Sequence, residues 1–232
     1  SAAVVRRSFV NTIEDGIQKV KEKISRACAR SGRSEKNVRL VAVTKRVDAE
    51  RIHTAFSCGI KDFGENYIQE ARRKIEAFGE GPCWHMIGHV QTNKVKYIPG
   101  FFAFVHSVDR WEILEGLEKF RKPLKVLFEL NLSGEESKHG AQEDNLRRML
   151  ERVHTLQNVE PVGLMTMAPF VEDAENVRDI FVSLRRILEK VNREFSLDMR
   201  ELSMGMSSDF EIAIEEGATM VRIGTAIFGE RR

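Results

Sequence analysis

The sequence has few cysteines, almost no net charge and no long apolar run. Its three cysteines, Cys28, Cys58 and Cys83, lie far apart and form no C-x-x-C pair. This pattern argues against a disulfide framework and a zinc ribbon, and it predicts a reducing compartment such as the cytoplasm. No apolar stretch approaches the length of a membrane span, and no secretory signal opens the chain, so no membrane partner is expected.

The charge balance also excludes one class of partner. Lys and Arg total 37 against 35 Asp and Glu, which leaves a formal charge of +2. That balance is unlike a protein that binds nucleic-acid phosphates, and the short basic cluster Arg72, Arg73 and Lys74 is expected to be a solvated helix face. The basic, acid-free start SAAVVRRSFVNT resembles a transit peptide, which makes a mitochondrial location the alternative to the cytoplasm.

Strand-like and helix-like segments alternate along the chain. An amphipathic helix with Ile13, Ile17, Val20 and Ile24 on one face comes first, followed by apolar strand candidates separated by stretches of helical periodicity. Eight such strands in 232 residues predict a single (β/α)₈ TIM-type barrel over 38–232, with an extra N-terminal helix and lead-in at 1–37. A doubly wound sheet is the alternative, but both common phosphate-loop motifs are missing from the sequence. The strand candidates are 38–44, 60–63, 84–88, 102–107, 124–131, 159–166, 200–205 and 219–223.

Barrels of this kind carry their chemistry at the carboxyl ends of their strands. The last two predicted strands end in SMGMSSD and RIGTAIFG, which offer hydroxyls and glycines. Ser208 and Glu211 match a helix capping box, which would leave Ser207 available to bind an anion. Gly224 allows close approach of the backbone, and Thr225 adds a second hydroxyl. The pattern predicts a phosphate-binding site after strands seven and eight.

Lys45 ends the first predicted strand, RLVAVTK, and allows two interpretations. It is either an ordinary lysine at the barrel rim or an amine placed in a pocket, where burial would lower its pKa and make it nucleophilic toward an aldehyde. Together with the predicted phosphate site and Arg222 in strand eight, it suits pyridoxal 5′-phosphate (PLP), with Arg222 facing the pyridine nitrogen. A phosphosugar enzyme that uses Lys45 as an aldolase-type amine is a further alternative.

At these positions the sequence resembles the PLP homeostasis proteins, a family similar to the N-terminal barrel of alanine racemase. The resemblance implies a Schiff base between Lys45 and PLP, phosphate contacts from Ser207, Gly224 and Thr225, and Arg222 toward the ring nitrogen. It also implies that Asn66 and Met206 line the site, with His89 as a neighbour, and that the protein is a monomer acting in vitamin B6 and amino-acid homeostasis. The matching motifs, in family order, are LVAVTK, DFGENYIQE, WHMIGHVQTNK, VHSVDR, NLSGEESKHG, GLMTMAP, LSMGMSSD and VRIGTAIFGER.

A PLP-dependent racemase is the enzyme alternative. Racemisation requires a base on each face of the α-carbon, and in alanine racemase the second base is a tyrosine from an additional domain. The sequence ends close to the predicted end of the barrel and contains Tyr67 and Tyr97 only, of which Tyr67 is expected to be a packed aromatic at a helix start. These features favour a PLP carrier or regulator that acts on PLP and amino-acid pools.

His85 and His89 have the four-residue spacing of a helical zinc pair. The glutamate of the H-E-x-x-H motif is missing, and the segment has the pattern of a strand and its exit. We therefore expect structural histidines and no metal.

Overall fold

The computed structural model describes residues 2–135 and 139–230, and in it parallel strands close into a barrel. The strands pair in chain order, and β8 pairs with β1 through Arg39 opposite Met220 and Ala42 opposite Ile223. The predicted α/β barrel is thus confirmed. The strands are β1 (Arg39–Val43), β2 (Asp62–Glu65), β3 (Cys83–Met86), β4 (Phe104–Val108), β5 (Leu124–Leu130), β6 (Val159–Thr166), β7 (Glu201–Ser203) and β8 (Met220–Ile223).

Helices surround the strands, and the predicted N-terminal helix is present as a long additional element. Gly16 of this helix lies so close to the last helix that an added Cβ would stand 2.7 Å from the carbonyl oxygen of Ala226. No helix in the described part of the chain is both long enough and apolar enough to cross a membrane. The helices are α1 (Ala2–Ser31), α2 (Ala49–Ser57), α3 (Ile68–Phe78), α4 (Trp111–Glu118), α5 (Glu143–Leu150), α6 (Arg178–Phe195), α7 (Phe210–Glu215) and α8 (Thr225–Phe228), and a 3₁₀ helix (Thr92–Tyr97) lies between β3 and β4.

The barrel interior is apolar toward the amino ends of the strands and polar toward their carboxyl ends. Phe104, Leu127, Met165 and Met220 form a small buried cluster inside the barrel. Two residues further along three of these strands, the interior-facing positions are polar and buried: His106, Glu129 and Arg222. Because side chains alternate along a strand, this polar layer lies toward the carboxyl ends, where the candidate site is.

The second strand is displaced from its predicted position. It spans Asp62–Glu65, with Val41 opposite Asp62 and Val43 opposite Gly64, whereas the apolar pattern predicted 60–63. Short strands with polar residues lack the apolar run that marks their bounds in sequence. As a result Gly64 and Glu65 belong to the strand itself, and Asn66 is the first residue beyond it.

Candidate functional site at the carboxyl ends of the strands

Closure of the barrel brings the predicted site residues to four adjacent strand ends. Lys45 follows β1, Asn66 follows β2, Met206 and Ser207 follow β7, and Gly224 and Thr225 follow β8. In the sheet the order of these strands is β7, β8, β1, β2. Residues more than 150 positions apart in the sequence therefore face one mouth of the barrel.

The backbone around Lys45 is held on both sides. The hydroxyl of Thr44 donates to Glu65 Oε1 at 2.7 Å, and Lys74 Nζ donates to the carbonyl oxygen of Thr44 at 2.6 Å. On the other side, Arg46 adopts a left-handed conformation with φ of 58°, and its N–H donates to Glu70 Oε1 at 2.6 Å. The partly buried Lys45 is thus presented from a segment with little freedom to move.

Lys74 contradicts the prediction of a solvated basic face on α3. Its ammonium bridges Glu65 Oε1 at 2.7 Å and Glu70 Oε1 at 2.6 Å, and its side chain is 13% exposed. Burial raises the pKa of Glu65, and the Lys74 charge and the Thr44 hydroxyl oppose that shift. Of the basic cluster only Arg73 is exposed, since Arg72 packs against the rings of Tyr97 and Phe101. The four-residue spacing of Glu70 and Lys74 was the available signal for the pair.

The loops after β7 and β8 meet through Ser207. Its hydroxyl oxygen accepts a hydrogen bond from the N–H of Ala226 at 3.3 Å. Gly205, with φ of 97°, allows the β7 loop to approach α7, since an added Cβ would lie 2.7 Å from that of Ala213. The two predicted phosphate-binding segments are therefore adjacent.

The predicted capping box at Ser208 and Glu211 is wrong. The helix α7 begins at Phe210 with Asp209 at the N-cap position, and the Asp209 carboxylate accepts from the N–H of Met206 at 2.7 Å. Glu211 pairs instead with Arg30 of α1 at 3.4 Å. The bond to Met206 shapes the loop that carries Ser207, so the acidic residue replaces the serine as the local organiser.

Arg222 is buried inside the barrel with two anchored nitrogens. Its Nη1 donates to the Ser203 hydroxyl at 2.6 Å and its Nη2 to the Thr166 carbonyl oxygen at 2.9 Å. Burial lowers its pKa to about 10, and the nearby carboxylates of Glu129 and Asp209 oppose that shift. At neutral pH it remains a cation, which suits an anionic or nitrogen-acceptor ligand at the barrel mouth.

Asn66 and His89 each have one buried polar atom with no hydrogen-bond partner among the described residues. They are Asn66 Oδ1 and His89 Nδ1, and both residues line a cleft of 460 Å³ between the loops after β2 and β3. The loops after β2 and β3 can lie this close together only because residue 88 is glycine: an added Cβ would stand 2.1 Å from the Asn66 carbonyl oxygen. A buried polar atom of this kind is costly unless a ligand or water binds it.

Two expectations about aromatic and histidine side chains have different outcomes. Tyr67 stands at the start of α3, as predicted, but it is 51% exposed and lines the same cleft, so the expected packing is wrong. His85 is fully buried inside the barrel, whereas His89 lies beside Asp109 and stacks on His139 with ring centroids 3.8 Å apart. His85 lies in a cluster with Asp62 and Cys83, and His89 lies in a cluster with Asp109 and His139, so the two histidines do not share one site.

Comparison with known proteins gives a consistent result. The profile of the alanine racemase N-terminal domain matches residues 17–232. A relative from Aquifex aeolicus (strain VF5), named pyridoxal phosphate homeostasis protein, is 44% identical over 221 residues, which are 93% of this chain and 97% of that protein.

Solved structures agree in fold. PipY of Synechococcus elongatus PCC7942, solved with PLP bound, superposes with a TM-score of 0.79 at 32% identity, covering 89% of this chain and 100% of PipY. Alanine racemase from Corynebacterium glutamicum superposes with a TM-score of 0.75 at 16% identity, covering 96% of this chain and 61% of the racemase, and shares the fold alone. The chain therefore belongs to the pyridoxal phosphate homeostasis protein family, built on the barrel of the alanine racemase N-terminal domain.

Proposed function

We propose that this protein binds PLP at the carboxyl ends of its barrel strands, holds it as a Schiff base on Lys45, and acts in vitamin B6 and amino-acid homeostasis. One observation carries the proposal: four adjacent strand ends combine a supported lysine, two hydroxyl-bearing loops in contact and a buried arginine. The PLP-bound PipY structure, at 32% identity over nearly the whole chain, supports it.

Each group has a separate task in this proposal. Lys45 would supply the amine that holds the aldehyde group of PLP. Ser207, Thr225 and the backbone at Gly224 would bind the phosphate, Asn66 and Met206 would line the ring, and His89 would lie nearby. Arg222 would donate to the pyridine nitrogen, which would leave that nitrogen unprotonated.

When bound, PLP would supply an electron sink for amino-acid chemistry. A ring nitrogen that accepts a hydrogen bond from Arg222, and carries no proton, is a weaker sink. The arrangement therefore favours holding PLP over turnover, which suits a carrier or regulator.

The proposal includes a monomeric protein located in the cytoplasm. Size-exclusion chromatography with light scattering tests the monomer, and a dimer in the presence of PLP would contradict it. Fractionation of cells that express the native gene tests the location, with a mitochondrial fraction as the contrary result.

The ultraviolet–visible spectrum of the purified protein after addition of PLP is the direct test. We expect a violet absorption band that borohydride removes, and peptide mass mapping should then find the reduced adduct on Lys45. Lys94, which lines the neighbouring cleft, provides the matched control. Lys94→Ala should keep the adduct and Lys45→Ala should lose it. A protein that gains no band with PLP would contradict the proposal and favour the phosphosugar alternative.

A further inference from the structure

A continuous chain of hydrogen bonds crosses the barrel interior beneath the candidate site. Arg222 Nη1 donates to Ser203 Oγ at 2.6 Å, and Ser203 Oγ lies 2.7 Å from His106 Nδ1. His106 Nε2 lies 2.8 Å from His85 Nδ1, and His85 Nε2 lies 2.8 Å from Asp62 Oδ1. We call these five residues the interior chain. All of them except Asp62 are buried.

The chemistry of its two ends determines the direction of the interior chain. Arg222 can only donate, so the Ser203 oxygen accepts from it. At the other end, Asp62 pairs with Arg39 at 3.0 Å. Burial would raise the Asp62 pKa, but the His85 hydrogen bond and the Arg39 charge together hold it below its usual value. An ionised carboxylate can only accept, so His85 carries its proton on Nε2.

The two ends meet consistently at the central histidine pair. Burial lowers the pKa of both His85 and His106, so both rings are neutral and each carries one proton. With its proton on Nε2, His85 accepts at Nδ1. His106 therefore donates from Nε2, and since it carries only that proton, its Nδ1 accepts from the Ser203 hydroxyl. One assignment therefore satisfies every bond, and every donor points from Arg222 toward Asp62.

The interior chain ends at Asp62, the first residue of β2, on the floor of the barrel, by which we mean the amino ends of its strands. This end is unsuited to a metal ion. Ligand atoms of Asp62, Cys83 and His85 lie within 4.8 Å of one another. Arg39 and Lys125 lie close enough to lower the pKa of the Cys83 thiol, yet burial and Asp62 still raise that pKa to about 11. The two neighbouring cations disfavour a divalent cation. The floor therefore serves as the anionic anchor of the chain.

We infer that Ser203, His106 and His85 are positioning residues that hold Arg222 charged and in one orientation for the ring nitrogen of PLP. The inference rests on the proposed function. The aligned dipoles of the three side chains present their acceptor ends to the guanidinium, and the charge of Asp62 completes the series. Ser203 and Thr166 occupy one N–H on each terminal nitrogen of Arg222, which leaves the remaining N–H groups for a ligand.

The direction of the interior chain can be measured without PLP. In the full chain labelled with ¹⁵N-histidine, we expect a scalar coupling across an N–H···N hydrogen bond between the two imidazoles. The proton should belong to His106 Nε2, and His85 Nδ1 should be the acceptor. Absence of the coupling, or a proton on His85 Nδ1, would overturn the inference whatever happens with PLP.

The link to the cofactor is tested by titrating variants with PLP and monitoring the absorption band. Ser203→Ala removes the hydroxyl that accepts from Arg222. This change should weaken PLP binding about tenfold and shift the absorption band. Ser203→Thr keeps the hydroxyl and should restore the band position. Met165→Leu changes a buried residue inside the barrel that is not part of the interior chain, and its affinity for PLP should stay within about twofold of that of wild type.

A second variant acts from the far end. Asp62→Asn keeps an acceptor for His85 but removes the charge, and we expect a smaller band shift in the same direction as for Ser203→Ala. A structural role alone would not carry an effect from the floor to the cofactor. Unchanged PLP binding and spectrum in both variants would overturn the inference. If wild type takes up no PLP but the scalar coupling between the imidazoles is present, the proposed function fails, while the assigned direction of the hydrogen bonds in the interior chain stands.

Discussion

At the scale of single residues, burial shifts the pKa values of two charged side chains inside the barrel. Arg222 is fully buried and stays cationic because its lowered pKa of about 10 is still well above neutrality. Glu129 lies in the same polar layer and is 5% exposed. Burial raises the Glu129 pKa to about 7, and the Arg222 charge opposes this shift. The interior therefore holds a permanent cation beside a carboxyl that titrates near neutral pH.

Glu129 makes the stability of the protein depend on pH. Its pKa rises from 4.5 to about 7 on folding, so between those values the folded state binds more protons than the unfolded state. The contribution of Glu129 to stability is present at low pH and is lost as the pH rises through this window. From pH 5 to pH 8, wild type should lose about 2 to 3 kcal/mol relative to Glu129→Gln.

Urea unfolding of both proteins at the two pH values measures this difference. Glu80→Gln, in an exposed turn, is the control and should follow wild type. The same pH dependence in Glu129→Gln and wild type would contradict the assignment of the effect to Glu129.

The covalent and the phosphate contacts should separate by mutation. Lys45→Ala should abolish the adduct that borohydride fixes, yet retain weak PLP binding through the phosphate contacts. Ser207→Ala combined with Thr225→Ala should weaken PLP binding and spare the Schiff base, because Lys45 lies on a different strand end. Equilibrium dialysis and the absorption band measure the two properties separately. Equal loss of both properties in both variants would contradict this division.

At the scale of elements, α3 supports the end of β1. Lys74 donates to the Thr44 carbonyl oxygen and Glu70 accepts from the Arg46 N–H, so the helix is tied to the strand end that carries Lys45. Lys74 also bridges to Glu65 of β2. Glu65 is fully buried, so its charge depends on the Lys74 ammonium for compensation. A buried carboxylate left without its partner is strongly destabilising.

Lys74→Met should therefore lower the free energy of unfolding by about 3 kcal/mol, because it leaves Glu65 buried without a cation. Arg73→Met, on the exposed face of the same helix, should change it by less than about 0.5 kcal/mol. Thermal unfolding of the two variants gives the comparison, and PLP titration should show weaker binding in Lys74→Met only. Equal stability of the two variants would show that the bridge contributes little.

At the scale of the whole molecule, the barrel has one face where the polar loops gather and a floor where the interior chain ends. Both features arise from parallel strands that all run in the same direction around one axis. The site therefore draws on both ends of the sequence, and its chemistry depends on barrel closure rather than on one local motif.

The whole arrangement predicts a PLP-loaded protein with little racemase activity. Racemisation needs a base on each face of the α-carbon. Tyr97 is packed against Arg72, and Tyr67 is half exposed at the start of α3. We expect neither formation of D-alanine from L-alanine by chiral chromatography nor exchange of the α-proton in D₂O above free PLP. Turnover that Tyr67→Phe abolishes would favour the racemase alternative and give Tyr67 the second-base role.

The sequence alone was sufficient for the architecture, because alternation of apolar strands and amphipathic helices is a local property of the chain. All eight predicted strands are present, and the longest ones, such as β5 and β6, nearly match their predicted bounds. Strand-end positions of Lys45 and Thr225 also follow from that pattern. The short polar strand β2 was misplaced because it lacks an apolar run.

Contacts between distant residues were decided only by the tertiary structure. Lys74 was expected in solvent, but α3 folds against β2 and buries it beside Glu65. The capping box failed because the Asp209 carboxylate binds Met206 and Glu211 binds Arg30 of a distant helix. The interior chain joins residues from β2, β3, β4, β7 and β8. Such bonds depend on barrel closure and register, which bring together side chains that no local spacing relates.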